Sequence, residues 1–249
     1  QVNTSLIGTD AFQEADTFGL SFPITKHSIF VKSAKELLTA IPEAFAISVN
    51  GRPGPVLLDI PRNVQLEECE FDDWPDLTEF NKKIVRYQTE KSQISELSQK
   101  IASLMKNASS PVVYLGGGCN SPEAAEQLKN FLQNYNIPVV SSLMGLGAVS
   151  TENENFLGMV GMHGTYAANF AMNKSDLVLA FGVRFDDRAT GLVSKFCPNA
   201  KIIHIDVDAA EIDKILPAAI SIVGKIEEII PEILNAFLKL EQADNKISS

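Results

Sequence analysis

Basic residues are in short supply in this chain: 21 Lys and Arg stand against 31 Asp and Glu, a formal net charge of -10. That balance argues against a nucleic-acid partner, whose phosphates need a basic face. Cysteine is rarer still. Cys69, Cys119 and Cys197 are odd in number and widely separated, which leaves no disulfide framework and no paired-cysteine zinc site. A reducing compartment, the cytoplasm, is expected. No apolar run reaches the ~18 residues that a membrane-spanning helix requires, so no membrane partner is expected. The opening QVNTSLIGTD has no basic segment leading into an apolar one. It also lacks Met and starts no element, so the chain reads as a piece of a longer protein. HExxH, GxSxG and GxxxxGK(S/T) do not occur, and no metal site is expected within the chain. There are no repeats and no low-complexity tracts.

What is present is ordinary for a globular protein: 45% hydrophobic and 21% charged residues over 249 positions, enough for one large domain or two small ones. Residues 34–48 carry Leu37, Leu38, Ile41 and Phe45 at helical spacing, with Pro42 as a potential kink. GRPGPVLLDIP then reads as turn, short buried strand and stop. One helix and one strand cannot enclose a core, so residues 1–62 read as a partial α/β segment. Residues 63–92 are polar and acidic around Trp74 and Pro75 and read as a linker. From residue 93 the pattern is regular. Ile94, Leu97, Ile101 and Leu104 mark a helix, PVVYLGGG a strand, and SPEAAEQLKNFLQNYN a helix with Ser121 as its N-cap. IPVVSS, DLVLAFG, AKIIHID and AISIVG are further strands, GTYAANFAMNKS is a helix, and residues 226–240 form a closing amphipathic helix. Alternation of short apolar strands with helices gives the expected fold class, α/β. It implies a central parallel sheet, set at six strands, with helices on both faces over residues 93–242 and a tail at 243–249.

In open α/β sheets ligands bind beyond the carboxyl ends of the strands. Those ends carry Gly116-Gly117-Gly118, Ser142-Leu143-Met144-Gly145, Gly182-Val183-Arg184-Phe185-Asp186-Asp187-Arg188, Asp206-Val207-Asp208 and Gly224. Glycines allow phosphates to approach backbone amides, arginines pair with a diphosphate, and carboxylates accept from ribose hydroxyls. Taken together these make a nucleotide-cofactor site. Each element alone has a plainer reading: a tight turn for the glycines, a surface ion-pair cluster for VRFDDR, helix caps for the aspartates of HIDVDAAEID. His204 inside an apolar strand reads first as a satisfied core histidine, whereas His163 between glycines in GMHGT reads as functional at least as readily.

GTDAFQE, ITKH, GRPGPVLLDIP, LGGGC, SLMGLG, GMHGT, FGVRFDDRATG and HIDVDAAEI occur in this order along nearly the whole chain. In them the chain resembles the catalytic large subunits of acetolactate synthase (acetohydroxyacid synthase). The resemblance implies the end of a pyrimidine-binding domain at residues 1–62 and a central FAD-binding domain at 93–242, of the DHS-like NAD/FAD-binding type. It implies condensation of pyruvate with a second 2-oxoacid, on the way to isoleucine and valine, with thiamine diphosphate and Mg²⁺ held by residues outside this chain. It also implies a homodimer or tetramer with a small regulatory subunit. FAD in this family is mainly structural. Residue by residue, the resemblance assigns FAD contacts to Arg52, Gly117, Gly118, Leu143, Met144, Gly161, Met162, His163, Gly182, Val183, Arg184, Asp186, Arg188, Asp206, Val207, Gly224 and Lys225. Lys225 stands where the family commonly has an acid. Gln13 matches the active-site glutamine, and Lys26, Arg62, Met162, Asp187 and Arg188 match the substrate channel.

Glyoxylate carboligase and pyruvate oxidase share the central domain, and the RFDDR run favours acetolactate synthase over both. A sirtuin-type deacylase would need four paired zinc cysteines. An electron-transfer flavoprotein would cycle its FAD with a partner, which a redox titration separates from a static flavin. Because the activating acid and the Mg²⁺ ligands are expected outside this chain, the chain alone is expected to form no acetolactate from pyruvate. Acetolactate in a reaction with the pure chain refutes that expectation.

Overall fold

The computed structural model describes residues 2–76, 78–80, 84 and 88–247, and it divides into two units, Gln1–Arg86 and Tyr87–Ser249. In the first unit, β1 (His27–Phe30) and β2 (Val56–Asp59) pair in parallel, His27 opposite Val56 through Phe30 opposite Asp59. Around them lie α1 (Thr17–Ser21), α2 (Leu37–Val49) and α3 (Arg62–Gln65). Asp16 caps α1 by accepting from the Gly19 N–H at 2.9 Å. Pro42 lies inside α2, where it withholds one N–H from the helical ladder. The core here is small: Val31, Ala40 and Val64, with Ile29, Leu37, Leu58 and Ile60 packed against them. Two strands and one long helix leave Phe12, Phe22, Ile24, Phe45 and Leu66 exposed. The stretch expected to be linker from residue 63 thus opens folded, because α3 drives Val64 into this core. Val64 and Leu66, two residues apart in an otherwise polar run, carry no helical periodicity to announce it.

The second unit is built on one parallel sheet of six strands. These are β3 (Pro111–Leu115), β4 (Val139–Ser141), β5 (Phe156–Met159), β6 (Leu177–Phe181), β7 (Lys201–Asp206) and β8 (Ile220–Val223). The helices are α4 (Lys91–Asn107), α5 (Pro122–Asn134), α6 (Tyr166–Lys174), α7 (Asp187–Thr190) and α8 (Ile226–Ile247). Ser121 caps α5 as expected, accepting from the Ala124 N–H at 3.1 Å. Two expectations shift. Helix α4 begins at Lys91, before residue 93, and α8 runs through residues 243–247, absorbing most of the expected tail; Leu240, Glu241, Gln242 and Ala243, which lead into it, are good helix formers. The sixth strand, β5, is not among the strands expected from the sequence, its short apolar run FLGMV being interrupted by a glycine. It is four residues long, includes Gly158 at φ +96°, and pairs with β4 through a register shift. Among the described residues no helix is long and apolar enough to cross a membrane.

Side-chain alternation along the strands separates two cores. Val113, Leu115, Leu179, Phe181, Ile203 and Ile205 face α4, α5 and α8, meeting Ile101, Leu128, Phe131, Ile230 and Ile233. Val112, Tyr114, Val178, Ala180 and Ile202 face the other way, toward α6 and the loop residues Val183, Phe185, Cys197 and Leu216. Helices therefore cover one face, whereas irregular chain covers much of the other.

Strand order is β5-β4-β3-β6-β7-β8. The chain winds outward from β3 on one side, then crosses back to begin again at β6, which is the doubly wound arrangement with its switch point between β3 and β6. There the turns interlock. A Cβ on Gly116 would stand 1.8 Å from the Gly182 carbonyl oxygen, and a Cβ on Gly182 would stand 2.7 Å from the Gly118 Cα. Gly182 is also left-handed, at φ +61°. Gly191 shares that handedness, at φ +58°, but has open space around it. Gly191→Ala should therefore cost only the conformational penalty, about 1–3 kcal/mol for its φ +58°, ψ −123° backbone. Gly182→Ala should cost about 2–5 kcal/mol, since overpacking adds to it. Denaturant midpoints of the two variants check this, and equal losses would contradict the interlock.

Candidate functional site

The charged run after β6 is nailed down by its one apolar member. Strand register aligns Tyr114, Ala180 and His204 in a row across β3, β6 and β7. Tyr114 and His204 are thus two strand spacings apart, about 10 Å. The Phe185 ring stands 5.8 Å from the Tyr114 ring and 5.2 Å from the His204 ring, edge-on to both, so it lies between them over the small Ala180. Phe185 is 2% exposed and meets Phe196 on a further side. Its backbone is left-handed, φ +51°, a conformation that bulky side chains avoid. His204 donates from Nε2 to the Val183 carbonyl at 2.8 Å. It is the core histidine of the plainer reading but only half satisfied, since its buried Nδ1 has no partner among the described residues, and it tethers the same loop.

The polar members lie outside this core. Arg184, Asp187 and Arg188 are exposed. Among the described residues Arg184 makes no ion pair, and the Arg188–Asp187 pair is 3.9 Å long with both side chains mostly exposed. A surface ion-pair cluster of that kind contributes little. Asp186 caps α7, its Oδ1 accepting from the N–H groups of Arg188 and Ala189 at 3.1 and 3.2 Å.

The GMHG loop docks on this run. The Met162 N–H donates to the Arg188 carbonyl at 2.9 Å, and a Cβ on Gly161 would stand 2.4 Å from the same oxygen. Asn169 grips Gly161 at both ends, accepting from its N–H at 2.9 Å and donating to its carbonyl at 3.0 Å. Met162 and His163 are consequently exposed on a fixed turn. Met162, Asp187 and Arg188, three of the expected channel residues, line one open cavity of about 430 Å³ with Asn169, Leu192, Lys195 and Phe196.

At the neighbouring strand ends, the turns after β3 and β4 are tied by an Asn120 amide that donates to the Met144 carbonyl at 2.5 Å. Leu143 and Met144 are 67% and 62% exposed there. The expected phosphate approach at Gly116–Gly118 needs revision in part. Gly116 and Gly118 are small because Gly182 packs on them, while Gly117 faces Met144. Helix α5 beyond them offers an N-terminus already capped by Ser121, with Glu123 in its first turn. Beyond β7, Asp206 and Asp208 each spend Oδ1 on a backbone N–H, of Asp208 at 2.9 Å and of Ala210 at 3.0 Å. The capping reading of HIDVDAAEID is thus realised. Val207 is half-buried. The Gly224 N–H donates to the Asp206 carbonyl, and Lys225 pairs loosely with Glu227 at 4.0 Å.

Arg52, Gln13, Lys26 and Arg62 belong to the first unit. Gln13 is exposed and left-handed at φ +62°, in a loop where the Glu14 carboxylate accepts from the N–H groups of Gly8 and Ala11. Those hydrogen bonds hold the Glu14 carboxyl below its usual range. The Lys26 ammonium donates to the carbonyls of Asn50 and Arg52, buckling the GRPG turn to the start of β1. Arg52 and Arg62 are exposed. Phe185, Asn169 and Glu14 were not singled out from the sequence. Only Phe185 carried a signal there, as the lone apolar residue among four charges.

A parallel sheet in this strand order, with its loops gathered at the switch point, is a doubly wound α/β domain. The chain belongs to the thiamine pyrophosphate enzyme family: residues 98–233 match that family's central domain. An acetolactate synthase large subunit of Haemophilus influenzae is 45% identical over 235 residues, covering 94% of this chain and 40% of that protein. One from Cyanidium caldarium is 40% identical over 236 residues, 95% of this chain and 40% of the relative. The acetolactate synthase isozyme 2 large subunit of Escherichia coli is 41% identical over 233 residues, 94% and 41%. The chain spans about two fifths of the length of these relatives.

Burial holds the His204 imidazole below its usual value of 6.5, against the opposing pull of the Val183 carbonyl and the Asp213 and Glu211 carboxylates. The folded unit thus binds fewer protons at this site than the unfolded chain does. Its contribution is complete above about pH 6.5 and is lost as pH falls toward the folded value. Stability should fall from about pH 7 to pH 5 more steeply in the wild type than in His204→Gln, as measured by denaturant midpoints. Parallel pH profiles would refute this.

Proposed function

We propose that this chain is a segment of a thiamine diphosphate-dependent acetolactate synthase whose second unit holds FAD across the strand ends in a structural role. The observation that carries this reading is the run after β6. Beside the switch point Arg184 is exposed and, among the described residues, without an ion pair, between two backbone positions anchored in the core. An arginine so presented suits a diphosphate. Half-buried Asp186 is suited to a ribose hydroxyl, Asp206 at the adjacent strand end is 6% exposed and already accepts from the Asp208 N–H, and exposed Leu143, Met144 and Met162 suit the apolar flavin ring. Cation, acceptors and apolar surface are the donor set that a flavin dinucleotide needs, so these residues fit the group.

Met162, Asp187 and Arg188 border the path of an anionic 2-oxoacid, and the cavity they line supports that role. Gln13, Lys26 and Arg62 keep the active-site and channel roles that the resemblance implies. Thiamine diphosphate, when bound with Mg²⁺, supplies the carbanion chemistry that joins pyruvate to the second 2-oxoacid. This chain's residues bind, orient and exclude water around that chemistry. The identity to acetolactate synthase large subunits over nearly the whole chain favours this activity, with its products consumed in isoleucine and valine formation in the cytoplasm. A homodimer or tetramer with a small regulatory subunit is the assembly that goes with it.

In the full-length enzyme, Arg184→Ala removes a charge-assisted pair with the diphosphate worth about 1.5–3 kcal/mol. FAD affinity should therefore fall roughly ten- to 150-fold. Asp187→Ala should leave FAD affinity near normal while altering turnover. Fluorescence titration of FAD into both apo-variants checks this, and unaltered affinity in Arg184→Ala would sink the diphosphate assignment.

A further inference from the structure

We propose that Phe185 is a positioning residue, whose ring, seated between Tyr114 and His204, fixes how Arg184 is presented at the end of β6. The proposal rests on the reading of Arg184 as the diphosphate partner and adds to it the device that aims the side chain. The residues on either side of Arg184 are both immobilised. On one side the Val183 carbonyl accepts from His204 Nε2 at 2.8 Å. On the other, the Phe185 ring fills the gap above Ala180, 5.8 Å from one flanking ring and 5.2 Å from the other. Only position 184 is left to project outward, from a backbone held at both ends.

The conformation of Phe185 points the same way. A bulky residue at φ +51° is strained, and such strain persists only where packing over-determines it. In this conformation the ring turns into the core while its neighbours on both sides turn out.

A double-mutant cycle in the full-length enzyme tests this, with FAD affinity and thermal midpoint both measured. Phe185→Leu should weaken FAD about tenfold while Arg184 is present. In the Arg184→Ala background the same change should weaken it less than about twofold. The thermal midpoint should fall similarly in both backgrounds, since lost packing does not depend on Arg184. An equal loss of affinity in both backgrounds, or none in a folded variant, overturns the positioning role. If Arg184→Ala itself leaves FAD affinity unchanged, the diphosphate assignment falls first and takes the proposal with it. Should Phe185→Leu fail to fold, Phe185→Met carries the same cycle with nearly the original volume, read by the same outcomes.

Discussion

No Cβ fits where the turn after β3 meets the turn after β6. Gly116, Gly118 and Gly182 approach so closely that their backbones, not their side chains, are the packing surface. Everything at the strand-end face is referenced to that contact. It brings the two central strands' exits together and holds Gly182 left-handed, which sends Val183 toward His204 and Phe185 toward the gap above Ala180. The opposite ends of the same strands have their own clasp. The Asp176 carboxylate, before β6, accepts from the Ser109 and Ser110 N–H groups ahead of β3 at 2.7 and 2.9 Å. The central pair is thus fixed at both ends, and the outer strands hang from it.

The loops use their polar groups economically. Asp186, Asp206 and Asp208 each shape their own turn through one carboxylate oxygen, and Thr165 and Ser142 do likewise through hydroxyls. A carboxylate that organises its own loop is already oriented when a ligand arrives, so less ordering remains to oppose binding. The capping and the ligand readings of these aspartates are therefore compatible. The same residue can stiffen the turn and face the ligand.

Much of this was legible in the sequence, and the reasons differ by element. Helices α5 and α8 declare themselves through a Ser-Pro start and a long apolar stripe, and β3, β6 and β7 through runs of branched residues. Burial on both faces makes such strands continuous in hydrophobicity. Strand β5 was less legible because its four residues are only half-buried and one is a left-handed glycine. The place of the charged run was anticipated from where strands end, and that of the GMHG loop, which follows β5, only through the resemblance. Their mutual contact was not, since it passes through backbone atoms and one asparagine amide. The glycines misled in part. Their type demanded a close approach, but the partner in that approach is another stretch of backbone.

The first unit's exposed aromatic and aliphatic side chains have a colloidal consequence. Phe12, Phe22, Ile24, Phe45 and Leu66 are each adhesive points on any preparation of this chain alone. A net charge of -10 keeps such molecules apart at neutral pH. The sequence isoelectric point is about 4.8, and near it that repulsion vanishes while the apolar surface remains. Handling in mildly acidic buffer brings the chain to the condition in which copies adhere to one another through this unit.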